Sequence, residues 1–372
     1  MNRISRLFLM VTALVVASVS VGSAQGLRTS YFMDNVPLRL KMNPAFQPTK
    51  GFFSLPALGS LGLMASSNSI SMSDFSDIMD DDNGFLSEKF INNLEKDNTM
   101  TIDLNTDVIS FGFFAGRSFW TINVGARVIF NASIPKTMFE FARNAGEVNP
   151  GDHYEIENFE INADAYAEVG LGYSRKVNDR LYVGGRVKAL LGAGNLRAKI
   201  NRISVDATGD ATNWNVVTDG RLEASMKGLD LVNDPGTDYI NDVDMDSFGI
   251  SGFGLGFDLG ASYEVINNLH VSAGIMDLGF ISWNKSSTKV ATTNQTFNYS
   301  TIAENSGVST NPDDYEGMTD DEIRDYVDDY VPENAADILD YDLFRFEEET
   351  EVSGRTTSLT TTLNVGAEYT LW

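Results

Sequence analysis

Cysteine is missing from all 372 residues. The chain therefore holds no disulfide, and an exported form has no cysteine for a lipid anchor. Its stability must come from size, burial or a closed hydrogen-bond network. Histidine is almost as scarce. His153 and His270 stand alone, with no histidine or carboxylate at metal-ligand spacing, so neither a metal site nor a cofactor is expected. There is no Gly-x-Ser-x-Gly elbow, no phosphate loop and no Ser–His pair suited to a hydrolase, which argues against an enzyme. Positive charge is also short, with 27 Lys and Arg against 52 Asp and Glu and a net charge of −25. Nucleic acid is disfavoured, because its affinity comes from basic residues neutralising phosphates. Beyond Ala24 no run of about 18 apolar residues occurs, so no transmembrane helix is expected.

The N-terminus has the form of an export signal. A basic start at Arg3 and Arg6 precedes the apolar run Leu7 to Val16, and Gly22-Ser23-Ala24 supplies small residues before Gln25. This predicts a signal peptide over 1–24, cleaved after Ala24. A core of about ten apolar residues is too short to span ~30 Å of hydrocarbon as a helix.

What the mature chain has in quantity is alternation. From Phe119 to Phe130, Trp120, Ile122, Val124, Ala126, Val128 and Phe130 share one face. Thr121, Asn123, Gly125 and Arg127 share the other, and Ile129 breaks the pattern. Similar stretches run over 163–173, 181–191, 253–265, 269–275 and 359–371. Side chains alternate faces along a strand, so each stretch has one apolar and one polar wall. Short turns join them at Gly116-Arg117-Ser118, Val177 to Arg180 and Ile266 to Asn268, while the opposite connections are long. Residues 135–144 read as a helix in one of these, and 214–226 as extra strand in another. Aromatics (Phe114, Phe119, Trp120, Tyr173, Tyr182, Tyr263, Tyr369 and Trp372) gather near the short-turn end, as at a bilayer edge. An apolar-Gly-x-x-Tyr unit recurs at Val169-Gly170, Leu259-Gly260 and Val365-Gly366.

These features predict an all-β fold: an antiparallel transmembrane β-barrel with long extracellular loops containing short helices, exported to the outer membrane of a Gram-negative bacterium. Its partners would be outer-membrane lipid and the barrel-assembly machinery, which would read the C-terminal strand ending at Trp372. That residue is either the native end or a cut before a further strand. Eight crossings are expected, near 52–66, 101–115, 118–133, 155–175, 180–200, 250–265, 268–283 and 356–372. The first could equally be a plug segment, which would belong with residues 25–50 ahead of a barrel over 51–372.

The candidate site is the lumen wall: Arg127, Asp164, Glu168, Arg186, Lys188, Asp258, Glu264, His270 and Glu368. Mixed charges in a narrow interior must pair or meet water. They either knit the interior shut or line a passage for a small or hydrophobic solute. A structural role, as a subunit of a surface or secretion complex, is the other reading.

Two acidic segments invite a cation. Aligning Gly84 to the sixth position of a calcium loop puts Met79 first and Phe90 twelfth, and both ligand positions fail. Asp313 to Glu351 carries 17 acidic and 2 basic residues. Within it Thr319-Asp320-Asp321-Glu322 is a capping box for a helix to about Tyr330, read either as a rim lid or as ordinary loop structure.

Met42-Asn43-Pro44-Ala45-Phe46 resembles the Asn-Pro-Ala element of the long-chain fatty-acid transporter superfamily of outer-membrane barrels. The resemblance implies a hatch inside the barrel, with Asn43, Pro44 and Ala45 in it. Those transporters have more strands than the eight crossings counted here. Either this chain is a shortened member or further strands lie in 195–250 and 284–355. The polar lumen also departs from what a fatty-acid cargo would suggest.

Overall fold

The computed structural model of the chain describes residues 31–33, 36–54, 61–71, 84–144, 149–210, 213–233, 237–300 and 344–369. The expected leader at 1–24, the acidic residues 80–83, the capping-box helix at 319–330 and Trp372 lie outside the described residues.

In chain order the strands are β1 (Phe52–Ser54), β2 (Leu61–Ser67), β3 (Asp97–Ala115), β4 (Ser118–Pro135), β5 (His153–Lys176), β6 (Leu181–Asp210), β7 (Asn213–Met226) and β8 (Leu229–Asn233). They continue with β9 (Ile240–Met245), β10 (Gly252–Ile266), β11 (Leu269–Trp283), β12 (Thr288–Ser300), β13 (Glu347–Glu348), β14 (Arg355–Ser358) and β15 (Thr362–Tyr369). Helices α1 (Arg39–Met42), α2 (Glu88–Asn93) and α3 (Lys136–Asn144) are short. Strands dominate and every ladder is antiparallel.

The main path runs β1–β3–β4–β5–β6–β10–β11–β14, with β2 also on β3 and β15 also on β11. Its eight positions correspond to the eight expected crossings, and the first is a paired strand. Tight turns fit the hairpins, with positive φ at Gly116 and Asn268. Strands also occur in the two regions suspected of hiding them. They do not lengthen the path: β7 pairs with the far half of β6, and β12 pairs with β7.

The sheet is curled. β4 and β11 are four steps apart on the path, which is ~19 Å if flat at ~4.8 Å per step. Yet Arg127 of β4 makes an ion pair with Asp277 of β11. Two side chains cannot bridge the flat distance, so both lie on a concave face. The curl is greater still between β3 and β15. Lys41 of α1 pairs with Asp107 on β3 at 2.9 Å, and Arg39 of the same helix pairs with Glu368 on β15 at 3.4 Å. Among the described residues no ladder joins β15 to β1 or β2.

Two levels differ in which face is apolar. Near the short turns Val169, Leu171, Val183, Val187, Phe257 and Leu259 are exposed, while Glu168, Arg186, Lys188 and Asp258 are buried. Toward the long connections the pattern inverts. Ile156, Ile200, Ile203, Val205, Trp214 and Val216 form a core with Phe141 of α3, and Glu157, Lys199 and Arg202 face outward. β6 has 30 residues, and its far half serves this second core. There Lys289 donates to Glu348 at 3.0 Å and pairs with Asp230 at 3.2 Å. Burial alone would lower its ammonium, but these carboxylates hold it above its ordinary value.

Trp214 is fully buried against Phe141. Trp214→Ala is therefore expected to destabilise the chain by about 3–5 kcal/mol, read by denaturant unfolding. The outward Arg202→Ala should cost far less, and equal losses would contradict this division of the two faces.

Candidate functional site

The concave face is built from the polar positions of the alternating strands. Arg186 Nη2 donates to Glu168 Oε1 at 2.8 Å, and Lys188 Nζ donates to Asp258 Oδ1 at 2.6 Å and also to Asp277. Arg127 donates to both Asp103 and Asp277. Asn123 Nδ2 links Glu168 at 3.0 Å to Asp107 at 3.3 Å, and Lys41 closes the chain on Asp107. Five carboxylates thus face four cations in one connected mesh. Lys188 and Asp258 are almost wholly buried, where an unpaired charge would be costly.

Of the sequence-predicted site residues, Arg127, Glu168, Arg186, Lys188 and Asp258 meet in this mesh. Asp164 does not. It sits a level higher and accepts from Asn195 Nδ2 at 2.8 Å. Glu264, His270 and Glu368 form a cross-strand row at the short-turn end, half-buried.

Sequence reasoning missed Asp277, Asp103, Asp107 and Asn123 as members of the mesh, and Lys41 as their partner. Asp277 is there because of a β-bulge. Phe257 pairs with Leu278 and Leu259 with Ile275, so Met276 and Asp277 together oppose Asp258. Both are buried, and Asp277 takes φ +60°. Its N–H donates to Asp258 Oδ1 at 2.8 Å, which anchors the bulge. The available signal was the phase slip itself. Apolar Ile275 and Met276 are adjacent, and the outward series resumes at Leu278 and Phe280. A second slip, between Asp107 and Ile109 on β3, lets Asp107 and Ser110 both face inward.

Above the mesh lies an apolar layer: Ile129, Tyr166, Leu190, Ile281, Trp283 and Leu359. Ile129, the exception in its strand pattern, is an inward residue of this layer. Phe119 corrects an expectation. It is 1% exposed and packs on Phe114 and Phe52, so it belongs to the interior rather than to an outer aromatic ring. Tyr263 and Tyr369 are exposed on the outer face.

Below the mesh stands the N-terminal segment. Asn43 and Ala45 are fully buried. Asn43 Oδ1 accepts from the Ala45 N–H at 2.9 Å, a tight local turn. Its Nδ2 donates to the carbonyls of Ala261 at 3.3 Å and Ala273 at 3.1 Å. Asn364 Nδ2 donates to the Met42 carbonyl at 2.9 Å, and the Tyr31 and Ser272 hydroxyls bond at 2.7 Å. This approach needs a wall without side chains. Gly184, Gly260 and Gly274 are cross-strand neighbours on β6, β10 and β11, with Asn364 next on β15. A Cβ on Gly184 would strike Pro44, and one on Gly260 would strike Asn43 and Pro44. Gly260 and Gly366 belong to the recurring apolar-Gly-x-x-Tyr unit, and a Cβ on Gly366 would strike the Tyr31 ring.

Fold and site together define a class: an all-β protein whose antiparallel sheet curls over an ionic interior occupied by its own N-terminal segment. The chain belongs to a family of unknown function (DUF5723), whose model matches residues 44–372, beginning within the docked Asn-Pro-Ala element. No curated protein and no solved structure matches the chain.

Two outcomes follow from this geometry. Lys188→Met would leave Asp258 and Asp277 facing each other, and is expected to cost about 3–5 kcal/mol in denaturant unfolding. Arg197→Ala, at a half-exposed surface pair, should cost less than about 1 kcal/mol. Gly260→Val should dislodge the Asn43 turn, since overpacking costs about 1–3 kcal/mol. Trypsin would then cut after Arg39 or Lys41 roughly 5- to 100-fold faster. Unchanged cleavage would show that the glycine wall does not hold the segment.

Proposed function

We propose that this chain is an outer-membrane β-barrel whose interior, closed by a docked N-terminal plug, binds or passes a small or hydrophobic solute. The observation that carries this is the inside-out distribution of side chains near the short turns. A row of exposed Val, Leu and Phe on the outer face, backed by an ion-paired interior, suits hydrocarbon outside and polar surroundings within. A protein dissolved in water would place these faces the other way round, as the far level of the same strands does.

The interior is crowded rather than open. The Asn43 turn fills it at one end, the ion-pair mesh crosses it, and the apolar layer of Leu190, Ile281 and Trp283 caps it. These features favour a gated or ligand-binding barrel over a permanent pore. A non-transporting role in a surface complex draws its support from a different feature, the far extension of β6, β7 and β12, which projects well past the apolar band and offers a face to a partner.

The test has two parts. The chain should fractionate with outer membranes, require detergent for extraction and migrate differently on gels before and after boiling. Extraction into plain buffer would overturn the membrane reading. In planar bilayers the whole chain is expected to conduct little, and a form lacking residues 25–46 to conduct ions freely. Equal conductance of the two would overturn the plug, and silence of both would favour the structural role.

A further inference from the structure

A cavity of about 480 Å³ lies between the ionic mesh and the edge strands β2 and β15, within the size range of small-molecule sites. Its walls differ in kind. Every charged member of the mesh except Asp107 lines one side, giving four cations and four carboxylates. Apolar side chains line it as well, among them Phe32, Leu38, Met42, Met64, Met276 and Leu363, beside the polar Asn105, Thr362 and Asn364. Three of these are methionines, unbranched side chains that adapt to an alkyl chain.

We propose that this cavity binds an amphiphile whose polar head carries no net charge, either zwitterionic or uncharged. The inference rests on the barrel-and-plug reading and names the ligand class of that interior. The pairing of the wall charges decides the head group. Each cation on the wall is already engaged: Arg127 on Asp103 and Asp277, Lys188 on Asp258 and Asp277, Arg186 on Glu168, and Lys41 on Asp107. Arg186 Nη1 also lies 3.8 Å from Asp258 Oδ2, so these two charges are engaged with each other as well. A carboxylate head would find no unspent cation, and a cationic head would compete for carboxylates already bridged. Either ion would have to displace an existing ion pair in a partly desolvated site. A neutral head avoids that cost.

The experiment uses the full chain, refolded into amphipol, with four dodecyl probes each below its micellar concentration: dodecylphosphocholine, dodecyl maltoside, dodecanoate and dodecyltrimethylammonium. Equilibrium dialysis is expected to give binding of the two neutral heads about tenfold or more tighter than either ion. Lys188→Met should shift preference toward dodecyltrimethylammonium, and Asp277→Asn toward dodecanoate. Should those variants fail to fold, Met64→Trp on the edge strand β2 leaves the charges intact, fills the cavity and should weaken all four probes. Native mass spectrometry of membrane-extracted protein separates the sources. A co-purifying neutral phospholipid displaced by dodecylphosphocholine marks a lipid ligand, and an empty site that takes up the probe marks a diffusible one; both support the proposal. Folded wild-type chain that binds dodecanoate as tightly as the neutral heads, or binds no probe saturably, overturns it. Gel migration before and after boiling is read on the same samples. A lost migration shift therefore indicts the barrel reading, and a retained shift with the wrong selectivity indicts only the ligand class.

Discussion

Lys188 sits between two carboxylates, Asp258 and Asp277, in a place almost closed to water. Remove the ammonium and two buried negative charges face each other across adjacent strands. Remove either carboxylate and its partners lose balance. Because Asp277 also holds Arg127, and Arg127 also holds Asp103, this contact ties β6, β10 and β11 to β3 and β4 across the concave side. Strand ladders alone set neighbours; they do not fix how tightly a sheet curls. The ion pairs reach across four strand steps and do fix it, which makes the mesh a constraint on overall form as well as a filling for the interior.

The docking of the N-terminal segment depends on the same curl. Arg39 and Lys41 can touch β15 and β3 together only if those strands are brought near each other. The helix carrying them is a single turn and would not persist alone in water. It is held by the Asn43 turn, whose amide takes two strand carbonyls across a wall kept bare by glycine. Packing and charge therefore act at right angles here. Glycines let the segment approach the sheet, and the two cations set its position between the edges.

Much of this was legible in the chain. Alternation marked six of the eight segments on the path, because period-two patterning is insensitive to what the strand packs against. Five of the nine expected interior residues meet in the mesh for the same reason. What escaped is equally physical. Asp277 enters through a bulge, which reverses the face of every residue beyond it, whereas Asp107 precedes the slip on β3 and shares the parity of Asp103. Counting parity through 275–278 as one unbroken strand assigns Asp277 to the outside. Lys41 escaped because it lies outside the strands, and its partner is set by the curl. Phe119 was misplaced because nearness to a turn says nothing about which face a ring takes.

Alternation also cannot say which face meets which medium, and here one strand carries both answers. Along β6 the inward residues are charged at Arg186 and Lys188, become apolar at Leu190, and remain largely apolar at Ile200, Ile203 and Val205. The outward residues change in the opposite sense, from Val183 and Val187 to Arg197, Lys199 and Arg202. β5 turns over at the same height, from inward Glu168 with outward Val169 and Leu171 to inward Ile156 with outward Glu155 and Glu157. Its Asp164 and Ala167 lie beside Asn195 and Leu191 of β6. Two neighbouring strands exchange faces at one level, and local sequence preference has no reason to synchronise them. A change of surrounding medium at that height does. Hydrocarbon below it and water above would select both inversions at once, which is why the membrane reading rests on where the pattern reverses more than on the pattern itself.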